Sequence, residues 1–114
     1  MIAVIFEVLP DEQGRERYLE IAADLRQQLS QVPGFVSIER FQSLSDPGKL
    51  LSLSFWESEE AIREWRTLSE HRAAQRAGRN SLFLDYRIRV GHIVRDYSLH
   101  DREQAPSDSQ AVHP

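Results

Sequence analysis

The chain has 114 residues, 40% of them hydrophobic, with a formal net charge of -4 at pH 7. That length suits one compact domain and not two. It holds no cysteine, which excludes disulfides, thiolate zinc sites and cysteine nucleophiles, and its interspersed, slightly acidic charge offers no footprint for nucleic acid.

The first residues, MIAVIFEVLP, are apolar but lack a basic leading region, and are too short to span a membrane or to act as a usual signal peptide. A soluble cytoplasmic protein is expected. Ile2 to Leu9 is rich in β-branched and aromatic residues. Ile2, Val4, Phe6 and Val8 share one face, and Ala3, Ile5, Glu7 and Leu9 the other, as in a strand buried on both sides or nearly so. Pro10 and Asp11 end it. From Glu12 to Val32 the period becomes helical, with Tyr18, Ile21, Ala22, Leu25 and Leu29 in one apolar stripe. Pro33-Gly34 stops that helix.

Phe35 to Leu44 reads as a second strand, Ser45-Asp46-Pro47-Gly48 as a turn, and Lys49 to Trp56 as a third strand, together a hairpin. The odd positions of the third strand, Leu51, Leu53 and Phe55, are large and apolar, whereas the even ones include Ser52 and Ser54. Ser58 suits an N-cap, and Glu59 and Glu60 suit the first turn of a second helix. Ala61, Ile62, Trp65 and Leu68 share its apolar side, and it is expected to run to about Gly78, with Arg76 and Arg79 at its negative end. Leu82 to about Tyr97 forms the last strand. Leu84, Tyr86, Ile88 and Val90 lie on one face and Asp85, Arg87 and Arg89 on the other, and Gly91 marks a candidate bulge. From Ser98 the chain turns polar and aperiodic, so residues 98–114 read as a tail and 1–97 as the domain.

The order β-α-β-β-α-β is the split ferredoxin-like arrangement of an α+β protein, an antiparallel sheet with both helices on one face. Its other face combines Ala3, Ile5, Leu9, Phe83 and Ile93 with Glu7, Arg87 and Arg89. That mixture is too apolar for open water and too charged for a dry core. A second copy packed against it, giving a two-fold homodimer, is expected, with Glu7 or Glu39 pairing with Arg87 or Arg89.

The run VPGFVSIERFQSLSDPGKLLSLSFWESEEAIREW, followed by SEHRAAQ and FLDYRIRVGHIVRDY, resembles the antibiotic biosynthesis monooxygenase domain family over roughly Ile2 to Tyr97. The resemblance implies a dimeric α+β barrel with a small pocket between each sheet and its helices. It also implies, for some members, cofactor-free oxidation of aromatic or quinol-like compounds by molecular oxygen, and for others heme degradation.

Trp65 matches a helix tryptophan that faces the pocket in oxygenating members. The resemblance pairs that tryptophan with an asparagine four residues earlier, here Ala61, and a tyrosine six residues later, here His71. An imidazole titrates near neutrality and can take a phenolic proton, the first step toward reaction with oxygen. Trp65 also falls on the apolar stripe, where a tryptophan packs as core, and His71 falls on the stripe's flank. The heme-degrading branch carries an iron-ligating histidine ten residues after the tryptophan. Gln75 stands there, and an amide is a poor iron ligand, so heme degradation is not expected.

A small aromatic molecule and oxygen are therefore the expected partners, in a pocket walled by Phe6, Phe55, Trp65 and Tyr86. Arg87 is a candidate for an anionic substrate oxygen, and His71 and Trp65 are the candidate catalytic residues. No metal constellation and no nucleotide-binding or nucleophile-elbow motif is present, so no cofactor and no metal are expected. The competing expectation is a non-catalytic small-molecule binder or stress-associated accessory protein of the same fold.

Overall fold

In the computed structural model the described residues are 1–67 and 83–114. Strand β1 (Ile2–Pro10) leads to helix α1 (Gly14–Leu29), then strands β2 (Phe35–Gln42) and β3 (Leu50–Trp56). Helix α2 starts at residue 59 and is described to 67; strand β4 (Phe83–His92) and helix α3 (Ser107–Val112) follow. His71, Gln75, the second helix's expected end at Gly78 with Arg76 and Arg79, and the expected strand start at Leu82 lie outside the described residues.

The four strands form one antiparallel sheet in the order β2-β3-β1-β4, so the chain is α+β with the ferredoxin-like topology. The even face of β1 is the helix side. Ile2 joins Leu29, Trp56 and Ala61 in one buried cluster, and Val8 joins Tyr18 and Leu50 in another. Ile21 and Leu25 of α1 form a third, against which Trp65 and Phe83 pack. The apolar stripe of α1 thus lies where its spacing predicts.

Local chemistry sets the element ends. The Asp11 carboxylate accepts the Gly14 N–H at 2.7 Å and satisfies one of the donors that a first helical turn leaves without partners. Ser58 Oγ accepts the Ala61 N–H at 3.3 Å, the expected N-cap. Gly34 has φ +87°, a backbone shape that costs glycine little and other residues more. Its carbonyl accepts the Glu57 N–H at 2.7 Å, and a Cβ on it would sit 3.0 Å from that of Ala61. Gly34 therefore lets the entry to β2 close against the start of α2.

The expected placement of Phe83 is overturned. Phe83 does not share the bare face with Arg87. The β1–β4 register shifts between Leu9 and Pro10, so that Leu9 faces Asp85 and Pro10 faces Phe83. The extra residue, Leu84, reverses the alternation and turns Phe83 to the helix side, where its ring meets Tyr18 edge-on at 5.6 Å. The irregularity falls there and not at Gly91, which stays in register opposite Ala3.

Residues 98–114 carry α3 and close on themselves. The Arg102 guanidinium donates to Ser98 O, Ser109 Oγ and His113 O at 3.2, 2.6 and 2.9 Å, and Gln110 Nε2 donates to Ala105 O at 2.7 Å. Among the described residues no helix is long and apolar enough to cross a membrane.

Candidate active site

Between the sheet and its two helices lies a cavity of about 410 Å³, within the range of small-molecule sites, about 300–1,000 Å³. All four strands build its floor. Ile38 and Arg40 come from β2, Ser52, Ser54 and Trp56 from β3, Val4 and Phe6 from β1, and Tyr86, Ile88 and Val90 from β4. The helices build the roof, with Tyr18 and Ile21 from α1 and Ile62, Trp65 and Arg66 from α2. These residues converge because strand alternation sends every second side chain to one face.

The floor is aromatic at its centre. The ring of Phe6 meets those of Tyr18, Phe83 and Tyr86 edge-on at 6.5, 6.0 and 5.9 Å, the geometry that ring quadrupoles favour. At the far end of β3, Trp56 is 1% exposed, stacks edge-on against Phe35 at 5.4 Å, and donates its indole N–H to Ser54 Oγ at 2.9 Å. On the β4 side, Tyr86, Ile88 and Val90 remain 58%, 51% and 49% exposed, so this apolar wall is wetted and a ligand there would dry it.

Among the described lining residues the charges are of one sign. No aspartate or glutamate is among the described residues of the lining, while Arg40 and Arg66 both are. Arg66 is engaged by another residue. Arg40 Nε is buried with no hydrogen-bond partner among the described residues.

Of the residues singled out in the sequence, the structure brings Phe6, Trp65 and Tyr86 together in this lining. Phe55 lies elsewhere. It alternates with Ser54 and Trp56 and pairs with Ala3, so its ring lies on the sheet face away from the helices. The large odd positions of β3 are the outer ones because Trp56, an even position, is the residue locked into the core. Arg87 also lies on the outer face, opposite Glu7. Glu7 itself pairs with Arg89 at 2.9 Å and Lys49 at 3.3 Å. The Arg89 hydrogen bond first, and then Lys49, hold its carboxyl below the usual glutamate range.

Sequence reasoning missed Arg40, Ser52, Ser54, Trp56 and Tyr18 as lining residues. The signal was parity. Arg40 shares its face with Ile38, and Ser52 and Ser54 share theirs with Trp56.

A family model described as antibiotic biosynthesis monooxygenase matches residues 1–77. A jasmonate monooxygenase from Pyricularia oryzae is 45% identical over 94 residues, 82% of this chain. The match spans only 44% of that protein's length. The uncharacterized protein YqjZ of Bacillus subtilis is 32% identical over 99 residues, covering 82% of this chain and 79% of its own. Among solved structures, Rv0793 from Mycobacterium tuberculosis superposes with a TM-score of 0.70 at 21% identity, covering 85% of this chain and 98% of that one. A MhuD R26S mutant with two manganese protoporphyrin IX bound per active site superposes at 0.67 with 15% identity, covering 86% and 99%. At these identities the structures attest the fold alone.

Proposed function

This chain belongs to the antibiotic biosynthesis monooxygenase family, and on that premise we propose that it oxidises a small ring compound, aromatic or quinol-like, with molecular oxygen and without a cofactor. The observation supporting this reading most is the cavity, with Phe6, Trp65 and Tyr86 in its lining. An apolar pocket of that kind holds a ring compound, whose own body displaces water from the half-exposed β4 wall.

For a substrate of the anthrone type the chemistry starts at an acidic C–H. A methylene beside a carbonyl or phenolic ring loses a proton to a base, for which His71 is the proposed residue because imidazole titrates near neutrality. The delocalised carbanion passes one electron to oxygen, and the resulting radical pair joins in a C–O bond. The peroxide takes up a proton, and loss of water leaves a carbonyl. One oxygen atom ends in product and one in water. All four electrons come from the substrate carbon, so no external reductant is consumed. In this scheme Trp65 positions the ring from the roof of the cavity.

A second copy is proposed to cover the outer face of the sheet. Phe41 there is 42% exposed, and Ile5, Leu53 and Phe55 are only half-buried. The Glu7–Arg89 pair would then lie at the dimer interface.

Oxygen consumption with anthrone, menadiol and jasmonic acid, the last taken from the fungal relative, tests the reading. Turnover of at least one is expected, falling at least tenfold in Trp65→Phe and His71→Ala. If neither variant changes turnover of a compound that the native protein accepts, the assigned roles are wrong. If none of the three is consumed, the oxygenase reading fails for these classes.

A further inference from the structure

Arg40 is one of two arginines in a largely apolar described lining, and the other, Arg66, is engaged by another residue. Arg40 stands on the helix side of β2, directly across the ladder from Ser52, and both side chains line the cavity. Direct cross-strand partners have their Cβ atoms about 5 Å apart, so the guanidinium and the hydroxyl belong to one polar corner. Ser54, next on the same face of β3, completes it. Its oxygen already accepts the Trp56 N–H, which leaves the hydroxyl proton to be donated.

A buried, unpaired arginine N–H is costly, because desolvation is not offset by a partner. Arg40 Nε is such a group among the described residues. Neither of the ion pairs among the described residues involves it, and the described lining contains no carboxylate to neutralise it. Arg87 and Arg89 cannot serve the cavity instead, since both lie on the outer face and Arg89 is committed to Glu7.

We infer that the ligand of this cavity carries a carboxylate, bound at the β2 end by Arg40 with Ser52 and Ser54, while its hydrocarbon body extends over Phe6 toward Tyr86 and Val90. A carboxylate is preferred over other anions on geometry and charge. At its Nη end a guanidinium presents two parallel N–H groups, which match the two oxygens of a carboxylate and not the single oxygen of a phenolate. Arg40 Nε itself is shielded, so the Nη pair is the edge offered to a ligand. A phosphate near neutral pH carries almost two charges and calls for more donors than one arginine and two hydroxyls. From β2 to β4 the cavity crosses three strand spacings, about 14 Å. A monocarboxylic acid with a ring or short chain fills that span with its acid at one end, and the carbon to be oxidised then lies away from the acid.

This inference rests on the cavity being the ligand site proposed above, but it is read by binding and not by turnover. Failure of every substrate to consume oxygen would leave it standing, and its own failure would leave the oxygen assay untouched. The test is calorimetric titration of the full chain at pH 7 with 1-naphthylacetate and with the neutral, nearly isosteric 1-naphthylacetamide. The native protein should bind the acid at least tenfold more tightly, about 1.4 kcal/mol. The overall charge of -4 works against any anion, so such a preference has to be local. Arg40→Gln should erase the preference and leave the affinity for the amide within twofold. Arg40→Lys, which keeps the charge and loses the fork, should retain less than a third of it, and answers the question alone if Arg40→Gln does not fold. Equal binding of acid and amide, or no binding of either, overturns the inference. So does an acid preference that survives both substitutions.

Discussion

The indole nitrogen of Trp56 donates to the hydroxyl of Ser54, two residues back on the same strand and the same face, at 2.9 Å. Both side chains are buried, so the bond satisfies the single donor of the largest core residue while leaving a hydroxyl at the cavity wall. Ser54→Ala removes the acceptor and keeps the shape. It should cost about 1–3 kcal/mol, the penalty for a buried donor left unpaired. Urea unfolding of the two proteins measures this, and a difference below about 0.5 kcal/mol would mean that the indole finds another partner, since ordinary surface changes already produce that much.

Gly34 carries two demands at once, a φ of +87° and a 3.0 Å approach to Ala61. Gly34→Ala should destabilise by roughly 1–3 kcal/mol through backbone strain alone, with the clash added. In the double variant Gly34→Ala/Ala61→Gly the clash is relieved and the strain is kept, so only part of the loss should return. Full recovery in thermal melts would show that contact and not φ sets the requirement.

Glu7 should give the protein a small, salt-sensitive acid dependence. Its folded pKa lies below the unperturbed value because Arg89, and then Lys49, donate to the carboxylate. A depressed carboxyl pKa contributes stability above the unfolded value, about 4.3, and that contribution is lost as pH falls through the folded pKa. The melting point of the native protein should therefore exceed that of Glu7→Gln at pH 7, by less in high salt, and the gap should close on acidification toward pH 3. A gap of equal size at pH 3 and pH 7 would contradict the ion pair as its source.

Phe55 offers a direct test of the proposed subunit contact. In sedimentation at micromolar concentration the native chain should run at twice its 13.2 kDa mass, and Phe55→Glu should run as a folded monomer, because a charge brought into an apolar interface is not compensated there. A native monomer would remove the case for a covered outer face.

The family resemblance and the element order were legible because they rest on short-range signals. The 3.6-residue stripe of α1, the Ser58 cap and the Pro33-Gly34 stop are all written within a few residues of where they act. Phe6 and Tyr86 were legible as helix-side residues for the same reason, since each falls on an unbroken alternation, whereas Trp65 was placed at the pocket by the family resemblance, its stripe alone reading as core. Phe83 was not. One inserted residue, Leu84, changed its face, and nothing in the local pattern distinguishes a strand with a bulge from one without.

Alone, the sequence determined the four strands, the first two helices and their order, since these follow from periodicity, caps and turn chemistry along the chain, and its motifs carried the family resemblance. Helix α3 (Ser107–Val112), within the segment read as an aperiodic tail, was not among those elements. Tertiary structure alone decided which face of β3 looks inward. It sent Ser52, Ser54 and Trp56 to the cavity and Phe55 away from it, and it placed Arg40 beside that wall with a donor unpaired among the described residues. The physical reason is that strand alternation defines two faces without saying which is covered. That choice depends on the packing of distant helices, and bulky residues on both faces of β3 made the local signal ambiguous.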